Sequence, residues 1–375
     1  IKLLFSLTKE KKGGHKIDQL ATGDEWWNEV MAKYAAAPKP MVAVTPDDIA
    51  LFQYTGGTTG LAKGAVALHR NLVANTLQCR AWFVDVKDGQ DTTLAAIPLF
   101  HVYGMVVAMS LSVQAAATMV LVPNARDIPN VLAAIHQHQP SLFPAVPTLY
   151  NAINNHADLA KYNVKSIRAC ISGSAPLMPE TKLKFEQNTG GRLMEGFGLS
   201  EAPTATHCNP LHGENRPGSI GLPFPDVDCR IVSLDDGVTD MPPGEVGELI
   251  LRGPQVMKGY WNMTTETQNA LRDGWLFTGD IARVDKDGYF YIVDRKKDMV
   301  IAGGFNIYPT NIERVLKEIP QILDIAAAGV PDPYRGETIK VWIVVKPGQA
   351  LTEAEVLDFA KKNLAKFEVP TAIEV

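Results

Sequence analysis

The 375-residue chain has no CxxC pair, no internal repeat and no low-complexity stretch. Its four cysteines, Cys79, Cys170, Cys208 and Cys229, lie far apart with no histidine at metal-ligand spacing. That excludes a disulfide scaffold and a zinc module, and fits buried thiols in a reducing, cytoplasmic compartment. A net charge of −5 offers no electrostatic footprint for nucleic acid. Long apolar runs are scarce as well. Residues 105–122 carry no charge and approach the lower limit for a membrane span. Ser110, Ser112, Gln114 and Thr118 interrupt them, however, and no Lys/Arg cluster flanks them. A buried helix to Ala116 followed by a strand over 118–122 accounts better for the pattern. The opening Ile1-Lys2-Leu3-Leu4-Phe5-Ser6-Leu7 is too short for a secretory signal and brings no cleavage site; without an initiator Met, the sequence reads as a fragment. The remaining composition, 46% hydrophobic and 21% charged, is that of a globular protein long enough for two or three domains.

The most informative stretch is Tyr54-Thr55-Gly56-Gly57-Thr58-Thr59-Gly60-Leu61-Ala62-Lys63-Gly64, between two apolar runs. Residues 49–52 before it read as a buried strand. Glycines let backbone N–H groups approach a phosphate, threonine hydroxyls add donors and Lys63 adds a positive charge. The loop fails the Walker A test, because Ala62 precedes Lys63 and Gly64 follows it. An ordinary Gly/Thr turn between strands is the bland alternative.

Residues 1–40 read as a peripheral arm, the remnant of a preceding subdomain, in which Asp24 caps a short helix carrying Trp26, Trp27, Val30 and Met31. The arm's basic, partly apolar start leaves room for peripheral membrane contact, although a solvated face is the commoner outcome. Residues 41–216 alternate strands (93–98, 142–146, 167–172) with helices (128–138, 150–157, 179–188), which predicts an α/β layered domain with ligands at the carboxyl ends of its strands. Three loops fall there. Residues 98–104 set His101 among aromatics, a setting more often occupied by a packed core histidine. Residues 172–177 (Ser172-Gly173-Ser174-Ala175-Pro176-Leu177) suit backbone recognition of a flat ring, or a plain strand–helix turn. In Glu195-Gly196-Phe197-Gly198-Leu199-Ser200-Glu201 a ring face is exposed for stacking beside a carboxylate suited to Mg²⁺, if Glu201 is more than a surface acid. Residues 217–296 turn to short strands between Gly, Pro and Asp turns, with a clear hairpin signal at Asp285-Lys286-Asp287-Gly288, and predict a β-rich subdomain of small-barrel type. From 297 onward the pattern predicts a small α+β domain, with helices over 311–319 and 352–364 and Glu355 in a capping box.

These motifs, in order and spacing from about Val44 to the C-terminus, resemble the acyl-adenylate-forming superfamily, and most closely the bacterial long-chain fatty acid–CoA ligases. Residues 54–65 match its phosphate loop, 196–201 its adenine and magnesium motif, Trp275-Leu276-Phe277-Thr278-Gly279-Asp280 its ribose motif, and Asp294-Arg295-Lys296-Lys297-Asp298 its hinge. The resemblance implies a large α/β adenylation domain with a β-rich subdomain, followed by a small α+β C-terminal domain. It implies ATP, Mg²⁺ and coenzyme A, with a fatty acid as the substrate to be activated. Tyr54, Thr55, Gly56, Gly57, Thr58, Thr59, Gly60 and Lys63 would hold the phosphates, with Thr58 and Glu201 at the metal. Gly173, Ser174, Ala175, Pro176, Glu195, Gly196, Phe197, Gly198 and Ser200 would surround the adenine, and Asp280, Ile292 and Arg295 the ribose. His101 would sit beside the acyl carboxylate, Lys297 at the hinge, and Gly303, Gly304 and Phe305 by the pantetheine arm. Gly104, Met105, Gly198 and Ala202 would line the acyl tunnel. A homodimer remains open, as does a carrier protein in place of CoA.

Four departures stand out. Phe197 and Ser200 replace the usual Tyr and Thr, keeping a ring and a hydroxyl, and Phe277 stands where the long-chain class often has His. Ile301 replaces the lysine of luciferase-like members, which disfavours an oxidative enzyme. Family members also carry, beyond the region of Val369 and Pro370, a Gly-Lys motif whose lysine serves adenylation, and the sequence stops at Val375. The expectation is a parent acyl-CoA synthetase of which this stretch adenylates poorly, or at the extreme a nucleotide-binding remnant.

Overall fold

The computed structural model describes residues 20–38, 40–55, 62–302, 305–332 and 336–375. Residues up to Thr45 form one unit and Pro46–Val375 another. In the first, helix α1 (Trp27–Tyr34) starts from Trp26, which makes no side-chain cap. The expected Asp24 cap does not form, because Asp24 lies three residues before the first helical turn and its Oδ2 accepts from the Ala21 N–H at 3.2 Å instead.

The second unit opens with β1 (Ile49–Thr55) and β2 (Lys63–Leu68), an antiparallel pair whose register sets Thr55 opposite Lys63 and Tyr54 opposite Gly64. β2 is buried almost throughout. β1 is not the buried strand expected: Phe52 is 40% exposed, because β1 is the outer strand of a three-stranded sheet. Helix α2 (His69–Trp82) follows, then β3 (Thr92–Ala95). A π-helical stretch, Gly104–Ser110, runs into α3 (Leu111–Gln114) and β4 (Thr118–Leu121), the buried helix and strand anticipated for the uncharged run. No described helix is long and apolar enough to cross a membrane.

Helix α4 (Ile128–His138) takes its cap from Asp127, whose carboxylate accepts the Asn130 N–H. β5 (Leu142–Ala145), α5 (Pro147–Asn154), β6 (Ala169–Ser172), α6 (Pro179–Thr189) and β7 (Arg192–Leu199) continue the alternation. α5 begins three residues earlier than the sequence pattern predicts, since Pro147, lacking an N–H, is suited to the first turn. β8 (Ala202–Cys208) and β9 (Leu222–Pro223) complete a sheet ordered β4-β3-β5-β6-β7-β8-β9, parallel through β7 and antiparallel at β8 and β9. Phe143, Tyr150 and Phe185 pack edge-on or tilted at its centre with 0–1% exposure, which anchors the core under the strand ends.

Next come β10 (Asp228–Val232), β11 (Gly247–Arg252), β12 (Gly259–Tyr260), α7 (Thr264–Ala270), β13 (Leu271–Arg272), β14 (Trp275–Val284) and β15 (Phe290–Arg295). β12 joins β2; the others make a five-stranded sheet with β14 at its hub. Its described strands run as an open sheet rather than the small barrel expected. The chain ends in a second five-stranded sheet, β17-β16-β19-β18 with β20 on β19. It comprises β16 (Val300–Ala302), β17 (Phe305–Ile307), helix α8 (Pro309–Leu316), β18 (Ile322–Asp332), β19 (Gly336–Val345), helix α9 (Glu353–Asn363) and β20 (Ala372–Glu374). The Thr352–Glu355 capping box at the start of α9 is present in both directions.

Candidate active site

A cavity of about 540 Å³ opens at the carboxyl ends of the parallel strands, where an open α/β sheet leaves space for ligands. The loop after β3 brings His101, Val102 and Tyr103; the loop after β6 brings Gly173 and Ser174; the end of β7 brings Gly196, Phe197, Gly198, Ser200 and Glu201. Thr55 reaches it from the end of β1, Arg295 from the end of β15, and Lys297 and Asp298 from the charged segment that follows. Several apolar lining residues, Val107, Ile171, Leu199 and Phe224, belong to the main hydrophobic core. The cavity therefore joins an apolar lining to a rim that carries hydroxyls, two carboxylates and two cations.

Local structure explains how each group is held. Tyr103 donates from its hydroxyl towards Ile171 O (2.8 Å) and Ala145 O (3.2 Å), tying the ends of β5 and β6 together. Its ring lies 3.3 Å from where a Cβ on Gly173 would stand, so that loop runs flat against it. His101 is exposed at the cavity rim, and its Nδ1 accepts the Tyr103 N–H at 3.2 Å. Loss of water around the ring holds its pKa below the usual imidazole value, so it is neutral at pH 7. It is not the packed core histidine of the bland reading. Glu201 is fixed by Tyr260, whose hydroxyl donates to Oε1 at 2.8 Å. Lys63 Nζ lies 5.4 Å above the same Tyr260 ring, within reach of a cation–π contact. One tyrosine therefore links the foot of the phosphate-loop candidate to the carboxylate candidate.

Asp280 is a strained electrostatic element of the site. It is 0% exposed, and burial raises its pKa to about 6 even though Arg295, its cross-strand neighbour, pulls the other way. Arg295 Nε lies 2.7 Å from Oδ1, yet neither carboxylate oxygen has an aligned hydrogen bond. A buried carboxylate left like this wants two donors, and a ribose diol supplies two. The adjoining segment is clamped as well. Lys296 Nζ bonds Glu248 Oε2 at 2.7 Å, and Asp294 Oδ2 accepts the Thr310 N–H in the first turn of α8 at 3.0 Å.

The structure brings together Thr55, His101, Gly173, Ser174, Gly196, Phe197, Gly198, Ser200, Glu201, Arg295 and Lys297. Gly56, Gly57, Thr58, Thr59, Gly60, Gly303 and Gly304 lie outside the described residues. Other candidates sit apart from the cavity lining. Ala175 and Pro176 are exposed, and Ile292 packs into the β-rich core. Glu195 faces away from the cavity, because its carboxylate is buried against the Leu177 N–H at 3.2 Å, where burial lifts its pKa to about 7. It supports the 173–177 loop from behind. Phe305 stacks on Phe367 with ring centroids 4.8 Å apart. Of the tunnel candidates, Gly198 lines the cavity, whereas Gly104 and Ala202 are packed in the core. Tyr260 and Glu248 carried no sequence signal; a strand pairing and a half-buried ion pair reveal them. Among the described residues no cluster of three His, Cys, Asp or Glu could hold a metal alone. Glu201, with one oxygen on Tyr260, does fit the single protein carboxylate that Mg²⁺ takes beside polyphosphate.

A parallel-sheet domain with its cavity at the strand ends, followed by a small α+β unit, is the build of the AMP-binding enzymes, and the chain belongs to that family. The AMP-binding enzyme pattern matches residues 2–261, and that of the AMP-binding enzyme C-terminal domain matches 311–375. The chain is similar to the long-chain-fatty-acid–CoA ligase of Bacillus subtilis, at 46% identity over 99% of this chain and 66% of that protein. It is 40% identical to the ligase of the same name from Yersinia pestis, over 89% of this chain and 60% of that one. The chain thus spans about two thirds or less of these relatives' length. Among solved structures, ATP-bound MatB from Rhodopseudomonas palustris superposes with a TM-score of 0.84 at 32% identity, covering 92% of this chain and 68% of that one. The AMP complex of O-succinylbenzoate coenzyme A synthetase from Bacillus subtilis gives 0.81 at 27% identity, over 98% and 73%.

Proposed function

We propose that the chain activates a long-chain fatty acid with ATP, forming acyl-AMP, and passes the acyl group to the thiol of coenzyme A. The observation that carries this is the two-sided cavity, apolar where its lining is continuous with the core and polar and charged at its rim. An acyl-adenylate has the same division: a hydrocarbon chain joined to an anionic nucleotide. The long-chain assignment draws on the names of the relatives.

In the first half-reaction a carboxylate oxygen of the fatty acid bonds to the α-phosphorus of ATP as the bond to pyrophosphate breaks. The acid is already ionised, so no general base is required, and placement and charge neutralisation carry the rate. Thr55 and Lys63 flank the triphosphate, with Thr58 of the intervening loop assigned from sequence. His101, neutral, lies beside the reacting carboxylate without adding charge. Asp280 accepts the ribose hydroxyls, and Gly173, Ser174 and Phe197 frame the base. Glu201 would hold Mg²⁺, which neutralises phosphate charge when bound. In the second half-reaction the sulfur of CoA bonds to the acyl carbon, AMP leaves with the electron pair, and the thiol proton passes to solvent.

Calorimetric titration of AMP and of a hydrolysis-resistant palmitoyl-adenylate analogue tests the reading. With about 0.8 kcal/mol for each buried CH₂, the analogue should bind at least 100-fold more tightly than AMP. Equal affinities would refute an acyl site. Palmitoyl-CoA formation from free CoA then separates CoA from a carrier protein as acceptor.

A further inference from the structure

Behind the apolar side of the cavity stands α2, which buries amides where a core-facing helix normally buries hydrocarbon. Asn71, Asn75 and Gln78 are 0–4% exposed and share one helix face. Gln78 Nε2 donates to Pro225 O at 2.7 Å, and Trp82 stacks on the cavity-lining Phe224 at 5.0 Å. Asn75 is the most committed of the set. Its Oδ1 accepts the N–H groups of Thr204 (2.8 Å) and Ala205 (3.0 Å), while its Nδ2 donates to Ala205 O (2.6 Å) and Gln78 Oε1 (2.9 Å).

Those backbone groups belong to an irregular stretch of β8. Phe197 pairs with His207 and Gly198 with Ala205, but Leu199 pairs with Ala202, so β8 carries extra residues over this span. A bulge of this kind turns backbone groups out of the ladder and re-aims side chains beside a site. The bulge is held from both sides. Asn75 clamps it from behind, and in front Thr204 O would stand only 1.6 Å from a Cβ on Gly198. Thr204 and Ala205 both line the cavity, and β8 packs on the Gly104–Ser110 helix, whose Val107 lines it too.

We propose that Asn75 is a positioning residue: by fixing the Thr204–Ala205 bulge it sets the shape of the acyl end of the cavity, and so which acyl group the site accepts. This rests on reading the cavity as an acyl-adenylate site. The nucleotide end is held by other means, through Asp280, Arg295 and the 173–177 loop.

The test titrates AMP and a series of hydrolysis-resistant adenylate analogues (acetyl, octanoyl, palmitoyl, benzoyl) into wild type, Asn75→Ala and Ala205→Val. Wild type should favour one acyl group. Asn75→Ala should shrink that preference at least tenfold while the AMP Kd stays within twofold, a split that a general loss of stability would not produce. Ala205→Val, which adds two methyl groups to a bulge residue that lines the cavity, should shift the preference to a shorter group, and it serves if Asn75→Ala does not fold. Parallel losses for AMP and all analogues, an unchanged preference in Asn75→Ala (or, if that variant does not fold, in Ala205→Val), or a wild type without any preference would overturn the proposal. A wild type that favours the acetyl or benzoyl analogue refutes the long-chain reading, yet still tests Asn75 on the favoured group.

Discussion

Replacing Asp280 by Asn should make the ligand-free protein more stable and nucleotide binding weaker, and the size of the first effect follows from the burial of the carboxylate. Burial raises its pKa from 3.8 to about 6. At about 1.4 kcal/mol per pKa unit, holding the ionised form in place costs roughly 3 kcal/mol at neutral pH, after the attraction of Arg295. The folded state binds this proton more tightly than the unfolded state. Wild-type stability should therefore fall as pH rises from about 4 to about 6 and level off above. The Asn variant lacks that loss, and Arg295, which is half exposed, returns to water at little cost. Denaturant unfolding at pH 7.5 should show the variant ahead by about 1–3 kcal/mol, with the difference vanishing towards pH 4. AMP affinity should drop roughly 10- to 100-fold, because hydrogen bonds to a charged acceptor contribute about 1.5–3 kcal/mol. A variant less stable than wild type at pH 7.5, or one that binds AMP equally well, would refute the reasoning.

Gly198→Ala must fit a Cβ where Thr204 O stands 1.6 Å away. Backbone cannot yield cheaply, so urea unfolding should show a loss of about 3 kcal/mol or more. Gly173→Ala, meeting only the Tyr103 ring at 3.3 Å, should cost far less, and equal midpoints for the two variants would contradict the close approach. Lys296→Ala leaves the Glu248 carboxylate, 4% exposed, with the Gly279 N–H alone. A loss of about 1–3 kcal/mol is expected, reduced by the partial exposure of Lys296, and adding Glu248→Gln should recover most of it.

Much of the layered fold was legible because hydrophobic period and end signals agree. Residues 128–138 and 353–363 are helices with the caps their sequences announce, and the 285–288 turn joins two strands. Helix α2 escaped detection for a physical reason. It exposes Val73 and Leu77 and buries Asn71, Asn75 and Gln78, so its apolar stripe points the wrong way. β18 was missed because its Ala-rich run has little strand propensity and is held by pairing with β19 along its length. β1 looked buried from its composition, but burial depends on how many strands flank it, which sequence does not state.

By itself, the sequence determined the order of motifs and the chemistry each could offer, because glycine spacing, charge and hydroxyls are local properties of the chain. Only the tertiary structure decided how those groups are held. Asp280 became a strained acceptor through burial beside Arg295, Glu195 was turned from the cavity into a support, and Tyr260 was brought between Lys63 and Glu201 by pairing β12 with β2. Each depends on desolvation or on contact between residues far apart in the chain, and neither quantity exists until the chain has folded.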